Sequence, residues 1–127
     1  MACGIQTLDN GLKVAFYPRE NSPFVSAQLW VRMGSAFESE EEAGFAHFVE
    51  HLAFRLSPSG NTSYATQIDA VAGKMNAHTS HLNTVFFANV LKEDVSLALQ
   101  SLVAILGPPF FLRCRRSSRA TNYTGRI

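Results

Sequence analysis

No acidic residue follows Asp94, and the chain has only two cysteines, Cys3 and Cys114. Two distant cysteines without a C-x-x-C pair cannot form a disulfide framework, so both read as free thiols. The N-terminus lacks a basic segment followed by an apolar run, so no signal peptide is visible. Long hydrophobic runs are also missing. The most apolar stretch, Leu102 to Leu112, is broken by Gly107, Pro108 and Pro109 and is too short to span a bilayer. These absences point to a cytoplasmic chain without a membrane segment. The net charge of +1 argues neither for a nucleic-acid partner nor for a membrane surface, and neither is expected. Internal repeats are absent. Five basic residues (Arg113, Arg115, Arg116, Arg119 and Arg126) crowd into the last fifteen positions without interleaved aromatic residues, which suits a solvated tail.

What is present is ordinary for a globular domain. Hydrophobic residues make up 46% of the chain, and 127 residues are enough for one small core and not for two. Asp9-Asn10-Gly11 marks a turn, and Leu12, Val14 and Phe16 alternate as in a half-buried strand. Phe24 to Met33 reads as a second strand, with Val25, Ala27, Leu29 and Val31 on one face. Ser39 with Glu42 forms a capping-box pattern for a helix running to about Phe54, its apolar residues Phe45, Phe48, Val49 and Leu52 spaced by three and four. A second helix starts near Thr62 or Ser63, places Tyr64, Ile68 and Val71 on one face and stops at Gly73. Met75 to Ser80 and Thr84 to Leu91 read as an antiparallel hairpin. Asp94 opens a third helix with Val95, Ala98, Leu99, Leu102, Val103 and Leu106 as its stripe, and Gly107-Pro108-Pro109 stops it. The order predicts an α+β fold of two layers, a mostly antiparallel sheet with helices packed on one face.

One motif carries chemistry. His47 and His51 are four apart on the first predicted helix, so both imidazoles share a face and can meet one metal ion. Glu50 lies between them and can take a proton from water at that metal without ligating it. His47-Phe48-Val49-Glu50-His51 has the inverted H-x-x-E-H order of one class of zinc peptidase. Glu38, Glu40, Glu41 and Glu42 read as loop and helix-start charges, and His78 and His81 as surface polar residues that diverge on a strand.

Several ordered segments reinforce the motif. They are Thr7-Leu8-Asp9-Asn10-Gly11-Leu12-Lys13-Val14, Trp30 to Ser35 followed by Glu38, Gly44 to Phe54, and Gly73 to Ser80 followed by Thr84. Together they resemble the pitrilysin/insulinase family of zinc metallopeptidases, a group related to mitochondrial processing peptidase. The likeness covers about residues 5 to 110. It implies a Zn2+ cofactor, with His47 and His51 as ligands and Glu50 as the general base of peptide hydrolysis. It also implies that Asn76 and Ala77 lie on a strand that pairs with an extended peptide substrate. The implied further partner is a homologous domain or subunit that completes an enclosing chamber.

The family pattern also demands a third ligand, a glutamate in a downstream helix of the type E-R-x-x-V-x-x-E. Counting on from Pro108-Pro109-Phe110, it should fall near Gly125, and the helix's earlier glutamate near Ser118; neither is acidic. Residues 1–112 therefore read as the N-terminal part of a pitrilysin-like domain, and 113–127 as a basic tail, aberrant or disordered. The implied function is a zinc-dependent endopeptidase-family chain whose site is incomplete. The rivals are a non-catalytic peptide-binding subunit and an inactive fragment.

Overall fold

A computed structural model of the chain describes residues 3–54 and 62–106. Cys114, the helix stop at Gly107-Pro108-Pro109, the tail 113–127 and the position near Gly125 all lie outside the described residues.

The chain opens with a hairpin of β1 (Gly4–Thr7) and β2 (Lys13–Phe16), joined by the Asp9-Asn10-Gly11 turn. The Asn10 carboxamide oxygen accepts the Leu12 N–H at 3.0 Å, the Asx geometry such a turn favours. β2 is exposed at every position, contrary to the half-buried strand predicted from its alternation. None of its apolar residues belongs to the main core cluster.

That core is built on a second, three-stranded antiparallel sheet of order β3 (Phe24–Val31), β5 (Thr84–Leu91), β4 (Lys74–Thr79). β5 is the central strand, and its run of β-branched and aromatic residues suits a strand buried almost throughout. The flanking strands alternate instead. Ala27, Phe86, Ala88 and Val90 form one face with the partly buried Leu29, Val31, Met75 and Ala77. On the other face, Trp30, Gln28, Asn76 and His78 are exposed.

Three helices cover the first face: α1 (Phe45–Ala53), α2 (Tyr64–Ala70) and α3 (Val95–Ile105). Ala53, Ile68, Ala98 and Leu102 join the sheet residues in one cluster. The two-layer α+β arrangement is thus present. No helix among the described residues is long and apolar enough to cross a membrane.

Three local expectations need correction. The capping box at Ser39 and Glu42 serves only a 3₁₀ turn, Glu40–Glu42, and α1 starts afresh at Phe45. The buried face of α1 is Ala46, Glu50 and Ala53, while Phe45 and Phe48 point outward. α3 likewise buries Ala98, Ser101 and Leu102 and leaves Leu99, Val103 and Leu106 exposed. In both helices small residues face the sheet, because close approach there outweighs side-chain apolarity.

α2 stops just before Gly73, as expected. Gly73 donates to the Ile68 carbonyl at 3.0 Å and Ala72 to the Asp69 carbonyl at 3.0 Å, the paired bonds of a Schellman motif. The left-handed residue is Ala72, with φ of 55°, and not the glycine after it. Gly73 is needed for space instead, since a Cβ there would come within 2.8 Å of the Ile68 side chain and 2.9 Å of Val90. Ala72→Gly should therefore stabilise the fold by about 0.5–1 kcal/mol, after offsetting the entropy of glycine. Urea denaturation checks this, and a lowered midpoint would contradict the strain at Ala72.

Candidate metal centre

The helix that bears the histidines starts abruptly. Gly44, its N-cap, has φ of 89°, a conformation that disfavours residues with a Cβ, and it has no side chain with which to cap the helix. The cap comes from six residues upstream. The Glu38 carboxylate accepts the Gly44 N–H at 2.8 Å through Oε2 and the Ala46 N–H at 2.6 Å through Oε1. Those bonds, Ala46 first and Gly44 second, hold the Glu38 carboxyl below the ordinary glutamate range, with partial burial opposing them. The lowered value means that its stabilising contribution is complete above the ordinary glutamate pKa and is lost as pH falls through the lowered one.

The loop carrying Glu38 is fixed in turn on the β4–β5 turn. The Ala36 N–H donates to the His81 carbonyl at 2.9 Å. At Gly34 a Cβ would lie 2.7 Å from that same oxygen and nearer still to the Ser80 carbonyl, so only glycine fits. The Ser35 hydroxyl sits 2.9 Å from His81 Nδ1. His81 and His47 share an open cleft of about 350 Å³, together with Ser35, Glu38, Thr79 and Ser80. His78 and His81 are both exposed and do not converge, as expected, but they are kept apart by something other than strand alternation. β4 ends at Thr79, so His81 belongs to the turn, while His78 stays on the exposed sheet face.

On α1 the spacing of four brings the two imidazoles together. His47 Nε2 and His51 Nε2 are 3.0 Å apart, and their ring centroids are separated by 4.6 Å. Both side chains are exposed. Two nitrogens about 2.0–2.1 Å from one ion at a tetrahedral angle lie about 3.3–3.4 Å apart. The pair is therefore within a few tenths of an ångström of the spacing that a shared zinc requires. The donor atoms of His47, Glu50 and His51 all lie within 4.8 Å of one another. Two imidazoles converging at this spacing, with a carboxylate beside them, suit zinc among the common metals. They form the only such cluster of three or more among the described residues.

Glu50 differs from the histidines in environment. It is 7% exposed, on the face of α1 that packs on the sheet. Its Oε2 accepts a short hydrogen bond, 2.5 Å, from the Thr79 hydroxyl at the end of β4. Thr79 has the same parity as Met75 and Ala77, so it faces the helices. The Thr84 hydroxyl lies 3.3 Å from Thr79 Oγ1 and donates to the Met33 carbonyl at 2.8 Å. The carboxylate is thus held in place from the strand through one of its oxygens.

Asn76 and Ala77 lie on β4, which pairs with β5 on one side and with no strand on the other among the described residues. The Asn76 carboxamide oxygen accepts the Ala77 N–H at 2.9 Å. Glu38 and Thr79 are the residues whose roles sequence reasoning missed. Both sit inside recognisable segments, but a capping bond from six residues away and a clamp across 29 positions are tertiary facts.

Comparison with known proteins places this architecture. A family model described as insulinase (peptidase family M16) matches residues 13–118. An "uncharacterized zinc protease" of Rickettsia felis is 35% identical over 108 residues, which cover 84% of this chain and 26% of that protein. A "probable mitochondrial-processing peptidase subunit beta" of Arabidopsis thaliana is 36% identical over 103 residues, covering 80% of this chain and 19% of that protein. The crystal structure of a protease from Helicobacter pylori matches with a TM-score of 0.76 at 26% identity, over 91% of this chain and 30% of that one. The chain thus spans less than a third of the length of each of these proteins. Matched by the family model over most of its length and carrying the inverted H-x-x-E-H helix against its edge strand, the chain belongs to the insulinase family, peptidase family M16.

Proposed function

We propose that this chain contributes two zinc ligands, His47 and His51, and the general base, Glu50, to the hydrolysis of peptides. The observation that carries this reading is the convergence of the two Nε2 atoms, 3.0 Å apart, beside a carboxylate held by Thr79. Zinc, when bound, supplies a Lewis acid that polarises the scissile carbonyl and makes water more acidic. Glu50 takes the proton of the attacking water and returns it to the leaving amine. The Thr79 hydroxyl keeps that carboxylate oriented, so the proton is received at a fixed point. β4 offers its free edge to an extended peptide, with Asn76 and Ala77 supplying backbone contacts that ask little of the substrate's sequence. Asn76 must release the Ala77 N–H for an added strand to use it.

Catalytic zinc takes three protein ligands and one open position. The described residues offer His47 and His51, with Glu50 committed to the strand, so a third ligand must come from elsewhere. A homologous domain or subunit that encloses the peptide is the fitting partner. The free edge of β4 also supports a second reading, a non-catalytic subunit that holds peptides without zinc.

Zinc titration by calorimetry, run beside hydrolysis of a quenched fluorescent peptide, tests the proposal. Loose zinc binding through the two histidines and little or no turnover by the isolated chain are expected. Tight binding with turnover abolished by Glu50→Gln would show that the third ligand is already supplied. Peptide binding that persists in chelator, with no zinc affinity, would favour the second reading.

A further inference from the structure

We propose that Glu38 is a positioning residue for His47, tying the ligand-bearing turn of α1 to the same β4–β5 turn that follows the clamp on the base. The inference rests on the metal reading above and adds to it the group that sets where the first histidine stands.

α1 has no side-chain cap of its own. The first amides of a helix have no partner within it, and the N-cap side chain usually takes one of them. Gly44 has no side chain to do so. Ser39, the residue in the sequence best suited to capping, is spent elsewhere, its N–H and hydroxyl both directed to the Glu42 carboxylate at 3.4 and 3.2 Å. Glu38 takes over, with one oxygen for the Gly44 N–H and the other for the Ala46 N–H. Those two amides bracket Phe45, and His47 is the next residue. A carboxylate bound to both fixes the backbone from which the His47 side chain projects. A neutral or shorter side chain cannot engage both amides in this way, and the negative charge also suits the helix N-terminus.

The other end of the connection is equally well defined. Glu38 closes a short turn, its own N–H donating to the Ser35 carbonyl at 3.4 Å. That turn rests on Ser80 and His81 through the Ser35 and Ala36 amides and through the close approach at Gly34. Ser80 directly follows Thr79, the donor to Glu50. One strand end therefore references both halves of the site: Glu50 through the Thr79 hydroxyl, and His47 through Gly34, Ser35 and Glu38. The requirement is geometric, because a ligand displaced by an ångström no longer meets the ion that its neighbour holds.

The test is a double-mutant cycle on the 127-residue chain, with zinc affinity and amide hydrogen exchange as readouts. Glu38→Ala should weaken zinc binding by about tenfold, the low end of what outer-shell groups contribute. In a His47→Ala background the same substitution should change zinc affinity by less than about twofold, because the residue acts through His47. Exchange should quicken at residues 45–48 and stay unchanged at Leu102 in the core. Glu38→Gln, which keeps the volume and one acceptor, should give an intermediate loss, and it serves as the variant of record if the alanine chain does not fold. A full tenfold loss in the His47→Ala background would mark a general structural effect and overturn the proposal, as would unchanged affinity in Glu38→Ala or exchange that quickens equally at Leu102. No change on His47→Ala alone is the separate signature that the metal reading has failed, and it overturns this proposal with it.

Discussion

Replacing His51 with alanine should lower the zinc affinity of the chain by about 100-fold or more. The two imidazoles converge from one turn of α1 with their Nε2 atoms 3.0 Å apart, so zinc gains from a chelate and not from two independent contacts. Loss of a single outer-shell group typically costs about 10–100-fold, and loss of a direct ligand should cost at least as much. The chain should stay folded, because His51 is exposed and packs on nothing in the core. Calorimetric titration of the variant beside the parent measures the effect. Affinity within a few-fold of the parent would mean that zinc is bound elsewhere, with Cys3 or His81 as the obvious alternatives.

The second large effect is expected at Thr79. Thr79→Val removes the hydroxyl at nearly constant volume and leaves the Glu50 carboxylate, 7% exposed, without its donor. A buried charged acceptor that loses its partner bears most of its desolvation cost, so the chain should lose about 2–3 kcal/mol of stability. Thr79→Ser should restore most of this, since it keeps the hydroxyl. In a Glu50→Ala background, Thr79→Val should cost far less, because no carboxylate remains to be satisfied. Urea unfolding of the four chains measures the coupling. An equal loss in both backgrounds would place the effect in packing against Thr84 and not in the hold on Glu50.

Much of the fold is legible in the sequence because its signals are local. The Asp9-Asn10-Gly11 turn, the full extent of Thr84 to Leu91 and the start of α3 after Asp94 follow from turn chemistry and periodicity, and all appear in the structure. The faces of α1 and α3 are only partly legible from periodicity, although Ala98 and Leu102 are buried as expected. Periodicity finds apolar residues at helical spacing, but a helix lying close to a sheet needs small residues beneath it, as Ala46, Ala53, Ala98 and Ser101 show. Phe45, Phe48, Leu99 and Val103 are exposed as a result. The S-x-x-E pattern at Ser39 is a real capping box attached to a different element, so it marks the 3₁₀ turn and not the start of α1.

The site divides along the same line. His47, Glu50 and His51 are close in sequence and lie on one short helix, so spacing alone brings them together. The groups that hold them in place are distant in sequence. Thr79 reaches Glu50 across the interface of strand and helix, and Glu38 reaches α1 across a loop. Nothing in the spacing of those residues announces a bond. His81 is a further case, because the turn that carries it folds back to Ser35 and the cleft beside His47.

In the proposed site, α1 presents two imidazole nitrogens to one zinc ion. X-ray absorption at the zinc edge, on the chain loaded with one equivalent of zinc, tests it most directly. Imidazole scattering from two nitrogens at about 2.0–2.1 Å, with oxygen completing the shell, is expected. That imidazole signal should vanish in the His47→Ala, His51→Ala double variant. Sulfur scattering at about 2.3 Å, or an imidazole signal unchanged in the double variant, would contradict it.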